Sequence, residues 1–317
     1  MYGAWGIIGV MLWFGVGVPA LAATGTSVPR ATPRIALVRS SQAAPLEEAA
    51  RAVTESLQRQ QPRFEVMSYL LPHGEHAAET FAQIRQARPD LVLTLGSRAT
   101  AAALANGTDG VPLVFSMVLH PGQAGFLHAD LTGISLDVSP DEQFRLLRRL
   151  LPKARTVGVL YDPDETGLVV AEARRSAERM GFRFDTEQVA GPPEALRAID
   201  RLARRVDVLW AVPDSNVFTP LTTGPIQLAA LQRRVPVLGL SASHARTGAL
   251  AAFTFDYTDL GRQTAELVRR VVKQGRPQAI PIAGPRKVGV IVNARTARRL
   301  GIPLDLAVTK QATEVVR

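Results

Sequence analysis

Hydroxyls and carboxylates recur at one kind of place in this sequence, directly after short runs of aliphatic residues. Ser40 and Ser41 follow IALV, Ser97 and Thr100 follow LVLTL, and Ser116 follows LVF. Further on, Asp162, Glu165 and Thr166 follow VGVLY, Asp214 follows LWAV, Ser241 follows VLGL, and Tyr257 follows AAFTF. If the runs are parallel strands, these residues collect at the strands' carboxyl ends, where open α/β sheets bind ligands. The chemistry they support is recognition of a small polar molecule. Ser97, Arg98, Ala99 and Thr100 open a helix whose unpaired N–H groups and positive dipole end favour an anion such as a carboxylate. Thr166 and Gly167 could do the same from the opposite side. Asp214, carried directly after a buried run, is the best-placed counterion for an amino group, so that the set suits a zwitterion. The same serines and threonines also serve as helix N-caps, each contributing about 1 kcal/mol without any ligand. Capping is equally open to Asp214, and Tyr257 is as readily a core aromatic as a lining one.

Other chemistries find less support. The sequence has no cysteine, which excludes disulfides, thiolate nucleophiles, cysteine metal sites and a lipid-bearing cysteine. GLSAS at Gly239–Ser243 lacks the last glycine of a G-x-S-x-G elbow although His244 follows, and LTLGSRATA is neither G-x-G-x-x-G nor a Walker loop. His73 and His76 stand three apart and would need a third ligand to hold a metal; the simpler reading is a pair of loop histidines. No cofactor and no metal are therefore expected. The formal charge of +9 is carried by scattered pairs such as Arg148–Arg149 and Arg204–Arg205, with few aromatics beside them. This reads as solvated helix faces, not a nucleic-acid surface.

The elements that must position these groups are legible as alternation. From Arg34, nearly continuous apolar runs alternate with amphipathic stretches long enough to be crossover helices, the pattern of a parallel sheet covered on both faces. After TGISLD the pattern starts again, which predicts an α/β fold of two doubly wound parallel-sheet lobes joined by a multi-strand hinge. The expected division gives residues 34–137 and 250–280 to lobe one, and 138–249 and 281–317 to lobe two. Ahead of them, residues 1–23 form an uncharged apolar run ending in Ala20-Leu21-Ala22, which reads as a cleavable signal peptide, and 24–33 as a flexible tether. The lack of a positive start leaves an uncleaved anchor as the other reading.

Five stretches in order carry a family resemblance: PDLVLTLGSRATAAAL (Pro89 to Leu104), VPLVFSMVLHPGQAGF (Val111 to Phe126), the segment Leu131 to Gly167, GALAAFTFDYTDLGRQTAE (Gly248 to Glu266) and VIVNARTARRLGIPL (Val290 to Leu304). Together they resemble the ABC transporter substrate-binding proteins of the tryptophan/aromatic-amino-acid receptor type. The resemblance implies the type I periplasmic-binding fold, closure of two lobes on a small solute, and docking on a permease with its ATPase subunit. The apolar leader, read as a signal peptide, implies a periplasmic or extracytoplasmic location; a monomer is expected, with the membrane reached only through that partner or an uncleaved leader. Two positions depart from the family pattern: His120-Pro121 stands where Asp-Pro is usual, and Thr166-Gly167 where Asn-Ser is usual. A periplasmic sensor or partner-docking protein on the same fold is the rival reading. An enzyme ranks third, because no base and nucleophile pair is legible.

Overall fold

Strands buried on both faces set the architecture of the computed structural model, in which residues 32–72, 76–122, 124–126, 131–275 and 277–317 are described. The expected leader and all but the last two residues of the expected tether lie outside them, as does His73. The first series is β1 (Arg34–Arg39), α1 (Ala44–Arg59), β2 (Glu65–Leu70), α2 (Ala77–Ala87), β3 (Leu91–Leu95), α3 (Ser97–Asn106), β4 (Leu113–Val118) and β5 (Leu131–Ser135). The second runs α4 (Pro140–Leu150), β6 (Thr156–Tyr161), α5 (Pro163–Arg179), β7 (Arg183–Gln188), α6 (Pro192–Leu202), β8 (Val208–Trp210), α7 (Thr223–Gln232), β9 (Val237–Gly239), α8 (Ala242–Thr247) and β10 (Ala251–Phe255). The long α9 (Tyr257–Gln274), β11 (Val288–Asn293), α10 (Ala294–Leu300), α11 (Leu306–Gln311) and β12 (Glu314–Val316) complete the chain.

The first sheet has the order β2-β1-β3-β4-β5, with every pairing parallel. The second contains the same plan, β7-β6-β8-β9-β10, again parallel, and extends it by β11 and β12. The two-lobed α/β fold read from the alternation is thus the fold observed. In lobe one, Ile35, Leu37 and Leu93 pack under α1 and α9, while Ala36, Val38 and Phe115 meet Phe81, Ile84 and Ala99 on the other face. In lobe two, Phe144, Phe184 and Trp210 form an aromatic cluster beneath α4 and α5, with Leu160, Leu209 and Val237 against α6 and α7. LVLTL and LVFSMV are buried at every position, which explains why these strands read as unbroken apolar runs.

Three chain crossings join the lobes: Leu136 to Ser139, the junction of β10 with α9, and Gly284 to Lys287. The structure divides the segment 250–280 differently from the sequence expectation. Its first part, β10, belongs to the second sheet, where Ala251 and Ala252 pair in parallel with Leu238 and Gly239 of β9. The helix α9 packs on α1 in lobe one. Beyond it, Ala283 pairs with the edge of β5: Ser135 N–H donates to the Ala283 carbonyl (2.9 Å), and Ala283 N–H to that of Gly133 (3.1 Å). The chain then re-enters lobe two from the hinge end, so β11 runs antiparallel to β10 in a sheet expected to be parallel throughout.

Candidate ligand-binding cleft

The residues expected at the site do gather at strand ends, but most are bonded within their own lobe. In lobe one, Ser40 Oγ accepts the N–H of Ala99 (2.9 Å) and its carbonyl accepts Arg98 Nη1 (3.0 Å), so the β1 end is tied to the start of α3. A Cβ on Gly96, whose φ is +91°, would stand 2.7 Å from that Oγ, so this close approach needs glycine. Thr100 is buried, its hydroxyl bonded to Thr94 and the Gly96 carbonyl. Ser116 is likewise buried, joined to Thr264 of α9 at 2.8 Å. Ser97 is exposed, and Ser41 only accepts a long bond from Ala43 N–H at 3.4 Å.

Lobe two repeats this arrangement with carboxylates. Asp214, 3% exposed, accepts from Asp162 N–H (2.7 Å), Thr166 Oγ1 (2.7 Å), Asn216 N–H (3.0 Å) and Val217 N–H (3.1 Å). Four donors fill the lone pairs of a carboxylate. Asp214, expected as a counterion for an amino group, is thus bonded as a latch between the β6 and β8 ends. Asp162 caps α5 through Asp164 N–H (2.9 Å) and takes the Asn216 amide (2.7 Å). Glu165 accepts the backbone and hydroxyl of Ser215, both at 2.8 Å. Ser241 caps α8 and bonds the backbone of His244, while His244 Nδ1 accepts Leu240 N–H (3.2 Å). The pair thus serves the local turn and helix start. Tyr257 opens α9 and packs on the lobe-one core beside Phe255; burial and the nearby Glu48 carboxylate push its hydroxyl pKa up.

The space between the lobes lies elsewhere, against the hinge. A cavity of ≈ 360 Å³ is lined by Leu119, His120, Ser135 and Asp137 from the ends of β4 and β5, and by Gln143, Val169 and Glu172 from α4 and α5. Trp210, Pro213, Leu240, Phe253 and Phe255 supply its floor from β8, β9 and β10. None of the eleven residues expected at the site lines it. Trp210 is fixed by Nε1–H donating to Gln143 Oε1 (2.7 Å), with Gln143 Nε2 donating to the Val138 carbonyl (2.8 Å) and Phe144 edge-on at 5.6 Å. Phe253 and Phe255 share a strand face by their spacing of two, the one sequence signal that could have found them.

His120 reaches the cavity through irregular backbone. The β4 register shifts between Ser116 and Val118, with Met117 at φ 60°, and His120 itself sits at φ 47°. Bulges commonly re-aim side chains next to functional sites. Its N–H donates to Asp137 Oδ1 (2.8 Å), and its Nδ1 lies 3.2 Å from the same oxygen. The departure of His120-Pro121 from the family pattern was the visible signal for this position.

A family model described as ABC transporter substrate binding protein matches residues 67–316. The chain belongs to this family. This substrate binding protein is 24% identical over 238 residues, 73% of its length and 67% of the other's, to a tyrosine-binding protein of Clostridioides difficile (strain R20291). Among solved structures, it resembles the ligand-free, open form of a substrate binding protein with adhesive properties from Clostridium difficile (TM-score 0.76, 20% identity, covering 90% of this chain and 99% of that one). It also resembles an ABC domain in complex with L-Trp from Streptococcus pneumonia (TM-score 0.69, 20% identity, covering 90% and 100%). These likenesses carry the two-lobed fold. Among the described residues of this substrate binding protein, no helix is long and apolar enough to cross a membrane, and no group of three potential metal ligands occurs.

Proposed function

We propose that the protein is the extracytoplasmic receptor of an ABC-type importer, closing its two lobes on a small amine-bearing solute with an apolar body, an amino acid or a close relative. The observation that carries this reading is the hinge-side cavity, which joins an aromatic and aliphatic floor to the carboxylates of Asp137 and Glu172. A few convergent polar groups in an apolar concavity are what small-molecule sites offer. Family membership supports the class, and the tyrosine-binding and L-Trp-bound relatives support the solute type. On this reading residues 1–23 export the chain, the partner is a permease with its ATPase, and affinity arises from closure without any bond being made or broken.

A thermal-shift screen of the purified chain against amino acids, amines, small carboxylates and sugars tests it. A solute present at 100 times its dissociation constant adds about 2.7 kcal/mol of stability, so a clear rise in melting temperature with an amine-bearing solute is the expected result. Response to none of them, or to sugars alone, would overturn the assignment.

A further inference from the structure

The two carboxylates that line the cavity differ in what they already hold. Asp137 Oδ1 accepts the His120 N–H (2.8 Å) and lies 3.2 Å from His120 Nδ1, so it is engaged in fixing the turn after β4. Glu172 stands on α5 and is exposed, and among the described residues no hydrogen bond or ion pair reaches its side chain. Glu165, a carboxylate expected at the site, lies seven residues earlier on the same helix face, but Ser215 bonds both of its oxygens. One turn before Glu172, Val169 lines the cavity too and belongs to the core around Phe144 and Trp210. Glu172 is therefore placed where that apolar core gives way to the water of the cleft. While the cleft is open, water satisfies this carboxylate and an ion pair to it contributes little. A solute that lies on the floor and displaces the water leaves the carboxylate to be satisfied by the solute's own N–H groups, and the bond then counts for more.

We propose that Glu172 is the specificity-determining residue of the cleft, its carboxylate accepting the N–H groups of the solute's protonated amine while the apolar body lies over Trp210 and Phe253. The inference rests on the receptor reading above and assigns the group that recognises the amine. Asp137 stays with His120 and shapes the wall.

Isothermal titration of the full chain tests this with two pairs of probes, L-tyrosine against its deaminated analogue phloretate, and tyramine against its alcohol analogue tyrosol. The members of each pair differ at the amino group alone. The proteins are the parent, Glu172→Gln, which keeps the shape of glutamate and removes its charge, and Glu178→Gln, an exposed position on the same helix that does not line the cavity. The expected result is that the parent prefers the amine of at least one pair by about tenfold or more. Glu172→Gln then loses about tenfold of that preference through weaker amine binding, with the affinity for the amine-free analogue unchanged, and Glu178→Gln binds as the parent does. Unliganded melting curves verify that both variants are folded. An undiminished preference in Glu172→Gln, or an equal loss for both members of a pair, would overturn the inference and leave the receptor reading standing. A parent without preference for either amine would overturn both the inference and the amine-bearing solute class. Silence from all four probes would also overturn the inference, and silence across the wider screen would remove the receptor reading with it.

Discussion

At the scale of residues, the same side-chain chemistry that recognises ligands also closes turns, and burial decides which use prevails. Asp214 has four donors from its own lobe, so its removal strands groups that the fold has already taken out of water. Asp214→Ala is expected to lower unfolding free energy by about 2–4 kcal/mol, measured by urea denaturation without ligand; unchanged stability with weakened amine binding would restore the counterion role. His244 gives a pH signature. Its ring is largely buried, which lowers its pKa below the ordinary value near 6.5 and favours the neutral form that accepts Leu240 N–H. The unfolded chain therefore binds more protons as pH falls below about 6.5, so stability is complete above that value and declines beneath it. His244→Asn keeps an acceptor for Leu240 and cannot titrate; melting temperatures from pH 7.5 to 5.5 should fall less steeply for it than for the parent. Asp256, held low by the Asp259 N–H and Lys287, loses its contribution only on further acidification, below the ordinary carboxylate range.

At the scale of elements, one close approach fixes lobe one after the chain has visited lobe two. Gly261 on α9 faces α1 so tightly that a Cβ would stand 2.5 Å from the Ala49 carbonyl and 2.7 Å from Ala52 Cβ. Gly261→Ala should destabilise the protein by about 1–3 kcal/mol through overpacking, despite alanine's better helix propensity; chemical denaturation reads the sign directly. The Ser116–Thr264 bond lies at the same seam, where β4 meets α9. Helix starts were more legible than this packing, because caps are local. Ser139, Asp162, Ser241 and Asp256 each stand immediately before a helix and accept one of its first N–H groups.

At the scale of the whole molecule, the closure proposed above would act through the three crossings. The third is clipped to α9: Gln263 bonds the Gly284 carbonyl (2.9 Å) and Arg286 N–H (3.1 Å), while Arg286 pairs with Glu266 (2.9 Å). These contacts hold the crossing to lobe one as far as Arg286. Small-angle scattering should accordingly show a smaller radius of gyration with a saturating amine-bearing solute than without it; an unchanged profile on binding would argue against lobe closure.

The sequence alone determined the alternation of buried strands with amphipathic helices, the restart that makes two lobes, and the polar strand ends, because each is written locally, as unbroken apolar runs, stretches of period 3.6 and the residues that follow each run. Tertiary structure decided which strand ends face one another across the hinge. Ser40 and Asp214 carry the chemistry of a site yet are bonded in tying neighbouring strands, whereas Trp210 and Phe253 read as buried strand residues and line the cavity. That difference rests on contacts between residues far apart in the chain: Asp137 against His120, and Gln143 against Trp210. No local spacing records them.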